Sequence, residues 1–367
     1  MTRAEEVAEK EKRVRQLLEK QNLDGIVLTK RGNFAWLTAG GDNHVGNATE
    51  AGIASLLITK EKKFLITDNI EFPRLQAEEI EGLGFEPVVF PWYEGGREAA
   101  ISNRAAGMKL ASDLPFDGAA MMEDEIARLR WSLLEPEVER YRWLGRACAE
   151  AVSKTCRQMR PGRSEFAAAG AISAALQESG ISPFVLLVAA DERIKHFRHP
   201  IPTDNKIRHC CMVVICGQRW GLILSMTRLV HFGPLPEDLK RRHLAVVAVD
   251  AAAIAATRPG STAGQVFSAI KQAYAHSGFP EEWRLHHQGG ATGYAGRDWK
   301  ACREDDNTPL LENQAFAWNP SITGTKSEDT IIATSSDAEI LCPTPDLPTI
   351  AVQTEVGPIE RADILVV

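Results

Sequence analysis

The strongest constraint on the fold is an arrangement that occurs twice in the second half of the chain. Arg160-Pro161-Gly162-Arg163-Ser164 lies between two helical patterns, and the second of these stops at Ser179-Gly180. Arg258-Pro259-Gly260-Ser261-Thr262 repeats the pattern, with its stop at Ser277-Gly278. From proline to stopping glycine is 19 residues in each case (180 − 161 and 278 − 259). In both, Pro-Gly ends one helix, Ser or Thr caps the next, and glycine closes it. Thr262 with Gln265 also spells a capping box. Apolar, strand-like segments follow each pair: Met212–Ile215 and Gly221–Leu224, then Ala315–Trp318 and Thr330–Thr334. A unit of this kind occurring twice predicts two pseudo-symmetric halves, and facing halves place a binding cleft between them.

The first part of the chain reads differently. Residues 4–20 predict an amphipathic helix with Val7, Val14, Leu17 and Leu18 on one stripe. Strands are expected at Gly25–Thr29, Phe34–Leu37, Ile53–Thr59, Phe64–Thr67, Pro87–Phe90 and Met108–Ser112, with a Glu-rich helix over residues 71–82. Alternation of strands and helices predicts an α/β domain. Glu135-Pro136-Glu137 then opens a long helix with Val138, Tyr141, Leu144, Cys148, Ala151 and Val152 on its buried side. The expected division is residues 1–134, 135–345 and a Pro-containing extension over 346–367. With 367 residues, the chain can bury two substantial cores.

Several function classes are disfavoured by composition. A formal net charge of −7 supplies no basic footprint for nucleic acid or anionic membrane. The densely charged first residues (Arg3, Glu5, Glu6, Glu9, Lys10) do not read as a signal peptide, and no apolar run reaches the ~18–20 residues of a span. Seven cysteines with no CxxC spacing fit reduced thiols, and so a cytoplasmic protein.

Short motifs carry the functional signal. Phe316-Ala317-Trp318-Asn319-Pro320 is followed by Ser327-Glu328-Asp329-Thr330; earlier come His199-Pro200, Trp220-Gly221-Leu222 with Ser225-Met226-Thr227-Arg228, and His286-His287-Gln288-Gly289-Gly290. In order and spacing, these pieces resemble the motif strands of the pita-bread metallohydrolases, which include the Xaa-Pro peptidases, methionine aminopeptidases and creatinases. Trp36-Leu37-Thr38-Ala39-Gly40 is similar to the aromatic-Leu-Thr-Gly turn of the creatinase and prolidase branch. The resemblance implies an α/β (α+β) fold: an N-terminal creatinase-like domain, then a pita-bread domain of two pseudo-symmetric halves.

The same resemblance implies a changed metal site. The family's two ligand aspartates fall on Val214 and Ser225, and one of its two bridging glutamates falls on Asn319; His287 and Glu328 remain. An amide is a poor ligand for a hard divalent ion. Two dications ~3.5 Å apart repel by roughly 19 kcal/mol even at an effective dielectric of about 20. Where the family opposes this with four carboxylates, one is left. No metal is therefore expected, the alternative being one ion on His287 and Glu328, with Cys216.

Candidate catalytic residues are then His287 as general acid or base, Glu328 as its orienting partner or as a grip on a cation, and His199 as a donor across the cleft. Glu328 is expected to favour the protonated form of His287. Candidate substrate contacts are Ser225 and Asn319 as neutral hydrogen-bonding groups, Arg297 for a carboxylate, Tyr294, Cys216 and His44. Cys216 lies two residues beyond Val214 and so on the same strand face, where His287 would activate its thiol. In creatinase-like dimers the N-terminal domain leans over the partner's site, which brings in His44.

The leading expectation is a cytoplasmic homodimer that hydrolyses a C–N bond, amide or amidine, in a small polar amino-acid-like substrate without metal, as creatinase does. The alternatives are an Xaa-Pro peptidase-like enzyme with a reduced metal site, and a non-catalytic binding protein that uses the cleft.

Overall fold

The structure is a computed structural model that describes residues 1–367. The chain forms two compact units, Met1–Glu137 with Trp220–Leu222, and Val138–Arg219 with Ile223–Val367.

The first unit is built on a six-stranded mixed sheet. Its order is Glu86–Phe90, Lys63–Asp68, Ala51–Thr59, Gly25–Lys30, Leu110–Ser112, Ala119–Met121. The helix Arg3–Gln21 begins with a capping box between Thr2 and Glu5, and Val7, Val14, Leu17 and Leu18 are buried as the stripe predicts. Lys10 is buried on the same helix, where Glu6 (2.6 Å) and Glu137 (2.8 Å) supply the opposite charge. Two expectations fail here. Phe34–Leu37 belongs to the helix Arg31–Leu37, because a four-residue apolar run has the same pattern in a short buried helix as in a strand. Thr38 closes it by donating its hydroxyl to Phe34 O (2.7 Å). The Glu-rich stretch is not one regular helix either. It is a short turn, Phe72–Arg74, continued by a single π-helical turn, Leu75–Glu79. There the Glu79 carboxylate is drawn to the Asp42 N–H (2.7 Å) and Arg74 (2.9 Å), and Gly82 and Gly84 follow at positive φ.

Both copies of the repeated arrangement fold in the second unit, with matching hydrogen bonds. Ser164 caps Glu165–Glu178 and Thr262 caps Ala263–His276, the latter with its capping box to Gln265. Gly162 N–H donates to Ile207 O (2.8 Å), and Gly260 N–H donates to Leu310 O (3.1 Å). The two helices also end alike, with Ile181 N–H on Leu176 O (3.0 Å) and Phe279 N–H on Tyr274 O (2.9 Å). Gly180 and Gly278 supply the left-handed residue (φ 65° and 81°) that this stop requires.

Each half contributes a four-stranded sheet. One runs Leu365–Val366, Leu222–His231, Cys210–Arg219, Ser182–Ala190; the other runs Gly289–Thr292, Gln314–Trp318, Asp329–Ala333, Ala338–Ile340. The final residues are part of this unit. Thr349–Thr354 and Gly357–Ala362 form a hairpin, and buried Arg361 joins it to Asp250 (2.5 Å) and Asp329 (2.7 Å). No helix is long and apolar enough to cross a membrane.

Candidate active site

Sheet register sets the first side chains. Gly289 pairs with Trp318, and Trp318 pairs with Asp329. One step beyond each of these residues lie Gln288, Asn319 and Glu328, so all three reach the same end of the sheet. Asn319 N–H continues the ladder onto Gln288 O (3.1 Å). Gly289 is essential to this approach: its φ is +98°, and a Cβ there would stand 2.9 Å from Asn319 Oδ1 and closer still to the neighbouring backbone.

The other sheet supplies Cys216, Ser225 and Thr227. A two-residue turn, Trp220-Gly221, has both residues at positive φ (54° and 77°), as tight hairpins favour. It brings Cys216 Sγ to 3.2 Å from Ser225 Oγ. Along this face, Cys210, Met212, Val214 and Leu229 are packed in apolar core, and polarity begins at Cys216 and Ser225. The two sheets join through Thr330 Oγ1, which accepts from Ser225 N–H (2.8 Å) and donates to Ser225 O (2.9 Å). Thr227 N–H and Oγ1 also meet Glu328, at its carbonyl (3.0 Å) and its carboxylate (2.7 Å).

Glu328 is 3% exposed and held by two cations. Lys326 Nζ lies 2.7 Å from Oε2, and Arg297 Nη2 lies 3.4 Å from Oε1. Burial by itself would raise this carboxyl; Lys326, then Arg297, outweigh it and hold the group below the usual carboxylate range. Lys326 comes from a small hairpin, Ser321–Ile322 with Thr325–Lys326, turned at Gly324 (φ +95°). It was not among the residues expected at the site. The signal was present: two residues apart in extended chain, Lys326 and Glu328 share a face.

A second cluster is formed by three imidazoles. His286 Nε2 lies 3.1 Å from His199 Nε2, and His286 Nδ1 lies 3.2 Å from Ser321 Oγ. The His286 and His287 rings are 4.6 Å apart between centroids. His199 is brought here by its neighbour Arg198, which reaches Glu282 (2.8 Å) and Thr323 Oγ1 (3.0 Å). Desolvation is the main reason that all three imidazoles titrate low, at His199 in spite of its position at the exposed edge of the cluster. Lys326 adds to it at His199 and His286, and Arg297 and Lys300 add to it at His287. His287 is pushed down to about 4 and His286 to about 2.

Three expectations are corrected by this geometry. Glu328 does not promote protonation of His287: the carboxylate is occupied by Lys326, Arg297 and Thr227, His287 Nδ1 is buried with no hydrogen-bond partner, and the imidazole is held neutral. Cys216 is not an activated thiol, since burial and then the Glu328 charge raise it and its contact is Ser225. His287, Glu328 and Cys216 are not the grouping suited to one ion. The side chains whose ligand atoms converge, within 4.8 Å of one another, are His199, His286 and His287. His286 was overlooked because it immediately precedes the motif histidine and so reads as strand filler.

The remaining candidates are distributed as follows. Ser225 Oγ and Arg297 Nη1 are 3.4 Å apart. Tyr294 is buried just beyond Gly293, whose carbonyl accepts from Ile223 N–H (2.8 Å). His44 belongs to the first unit, where it pairs with Asp42.

A family model for metallopeptidase family M24 matches residues 139–336, more than half of the chain. The chain belongs to this family. A model of the creatinase/prolidase N-terminal domain matches residues 11–143. Curated relatives include the probable dipeptidase PepE of Mycobacterium tuberculosis, 25% identical over 337 residues, covering 79% of this chain and 90% of the relative. The Xaa-Pro dipeptidase of Pyrococcus horikoshii is 22% identical over 351 residues, covering 92% and 97%. In fold, an Xaa-Pro dipeptidase from Bacillus anthracis superposes with a TM-score of 0.79, at 18% identity over 98% of this chain and 100% of that one. These findings favour the peptidase-like alternative over the creatinase-like reading that led the sequence analysis.

An M24 protein implies metal, so the side chains present can be tested for fit. At the end of the sheet, the donors around Glu328 are a lysine, an arginine, a hydroxyl, a thiol and an amide. A lysine ammonium and an arginine guanidinium are not ligands, and both already neutralise the one carboxylate. The residues around Glu328 do not fit a two-ion centre.

Proposed function

We propose that this M24 chain hydrolyses the C–N bond of a small peptide-like substrate, of the Xaa-Pro or a related dipeptide class, in a site of reduced metal-binding capacity. The observation that carries this reading is the similarity to dipeptidases over most of both sequences. The geometry supports the chemistry. His287 is neutral near pH 7, the form that can accept a proton from water as the oxygen attacks the carbonyl carbon. Lys326 and Arg297 supply positive charge for the carbonyl oxygen as it becomes negative. The C–N bond then breaks, the imidazolium returns its proton to the leaving amine, and acid and amine are released.

A second reading retains one transition-metal ion on His199, His286 and His287, favoured by the convergence of their ligand atoms. Neutral imidazole is the ligating form, and three such ligands suit zinc. An ion there would polarise a carbonyl or a bound water. Against it stands the positive field of Lys326, Lys300 and Arg297, which favours the metal-independent route.

A panel of Xaa-Pro and other dipeptides, with simple amides and guanidino acids, tests the proposal by mass spectrometry of products. Turnover lost in His287→Ala supports it; folded protein that cleaves nothing in the panel sinks it. Metal content and chelator sensitivity separate the two readings. A homodimer belongs to the same proposal and is checked by light scattering.

A further inference from the structure

The segment from Thr325 to Asp329 has two faces. Lys326 and Glu328 pair at 2.7 Å, on the side of Thr227 and Arg297. Thr325, Ser327 and Asp329 alternate with them and so point the other way. Each of the three meets a buried partner. Thr325 Oγ1 lies 2.8 Å from His243 Nδ1, Ser327 Oγ donates to Asp250 Oδ2 (2.5 Å), and Asp329 Oδ2 accepts from Arg361 Nη2 (2.7 Å). His243 and Asp250 belong to the helix Glu237–Ala256 and lie about two turns apart on one side of it.

The final residues hold this arrangement from behind. Arg361 also donates to Asp250, from Nε (3.0 Å) and Nη2 (2.5 Å), so Asp250 Oδ2 joins Ser327 to the last hairpin. The Ala362 carbonyl lies 3.2 Å from His243 Nε2. A carbonyl only accepts, so Nε2 carries the proton, Nδ1 is the acceptor, and the Thr325 hydroxyl donates to it. Beyond Ala362, Ile364 packs with Met212, Val214 and Leu229, and Leu365 and Val366 pair with Val230 and His231. Val230 and His231 continue the strand that carries Ser225 and Thr227. Residues 361–366 therefore tie the 325–329 segment to the strand facing it. The hairpin that carries Lys326 does little to fix that residue alone. It has two residue pairs, Ser321 with Lys326 and Ile322 with Thr325, and so short a ribbon is marginal by itself.

We propose that Arg361 and His243 are positioning residues for the site: through Asp250, Ser327 and Thr325 they set the register of residues 325–329 and so aim Lys326 at Glu328 and the reacting carbonyl. This rests on the reading of the site as a hydrolase cleft in which Lys326 stabilises developing charge. A displacement of about 1 Å at such a group is enough to cost roughly 100-fold in rate. The last hairpin and strand thus act on the chemistry without touching substrate.

The test uses purified full-length protein. Thr325→Val combined with Ser327→Ala removes the two hydroxyl ties, and Arg361→Lys keeps the charge but not the fork that spans Asp250 and Asp329. Ser164→Ala, a helix cap outside the site, controls for lost stability. One readout is kcat and KM on the dipeptide of the panel that turns over fastest. The other is acetylation of Lys326 in the folded protein by an N-hydroxysuccinimide ester, read by peptide mass spectrometry. In the double variant and in Arg361→Lys, kcat should fall about tenfold or more with KM little changed, and Lys326, protected in the wild type, should label several-fold faster. Thr325→Ser alone and Ser164→Ala should keep wild-type values. Folded variants with wild-type kcat and a protected Lys326 would overturn the proposal, as would a loss of kcat with Lys326 still protected. Faster labelling without loss of kcat keeps the positioning role and removes Lys326 from the hydrolysis. If no dipeptide is cleaved, the hydrolase reading fails and labelling alone decides the positioning role.

Discussion

Lys326 Nζ and Glu328 Oε2 form an ion pair of 2.7 Å in which both side chains are almost fully buried. The pair sits at the end of the sheet where register also delivers Asn319 and Gln288. It turns the carboxylate from an available ligand into an occupied one. The consequences for stability and reactivity can be measured.

Lys326→Met should lower stability by roughly 3 kcal/mol near pH 7, the scale of breaking a buried pair. Glu328 has a depressed folded pKa, so its contribution is present above the unfolded carboxylate range and is lost as pH falls through the folded value. The wild-type advantage over Lys326→Met in denaturant midpoint should therefore shrink on acidification below about pH 4. A difference that stays constant to pH 2.5 would show that the pair does not control Glu328.

The imidazole cluster predicts loss of stability on mild acidification. Burial holds His286 and His287 at about 2 and 4 in the folded chain, below the unfolded imidazole range. The unfolded chain binds the proton first, so stability falls as pH drops from about 6.5 towards these values. His286→Asn should flatten the fall by on the order of 1–2 kcal/mol between pH 6.5 and 5. An unchanged slope in urea titrations at the two pH values would contradict the buried, neutral state of His286.

Ser164 and Thr262 should make cap contributions of similar size. Each caps the second helix of its half and accepts from a backbone N–H three residues on, at 3.1 Å and 3.3 Å. Either residue changed to Ala should cost about 1 kcal/mol, with Thr262 at the upper side because its capping box is also lost. Chemical denaturation of the two variants gives the comparison.

Arg361 ties the final hairpin to the second unit. With Asp250 and Asp329 left facing each other, Arg361→Ala should cost about 3–5 kcal/mol. Limited proteolysis should then cut within residues 346–362 well before the rest of the chain. A wild-type digestion pattern would refute the anchoring role.

Alkylation should distinguish the cysteines. Cys302 is exposed, whereas Cys216 is raised by burial and by Glu328. Iodoacetamide at pH 7.5 should label Cys302 first and leave Cys216 largely unmodified in the folded protein. Early labelling at Cys216, read by peptide mass spectrometry, would restore it as a nucleophile.

Local chemistry was legible in the residues themselves. Pro-Gly, a Ser or Thr cap and a closing glycine depend on contacts a few residues apart, so the duplicated halves could be read directly and their hydrogen bonds match. The motif strands likewise implied that Asn319 and Glu328 share one end of the sheet, which the strand register gives. Phe34–Leu37 was misjudged because a short apolar run has no period.

What the tertiary structure decided was charge and protonation. Which partner satisfies Glu328, whether His287 is neutral, and that His286 meets His199 all depend on burial and on groups brought together from distant segments. Desolvation and Coulomb energies vary with depth and distance, neither of which spacing along a chain reports. The residues were therefore nameable from their order, but their chemical state was set only by folding.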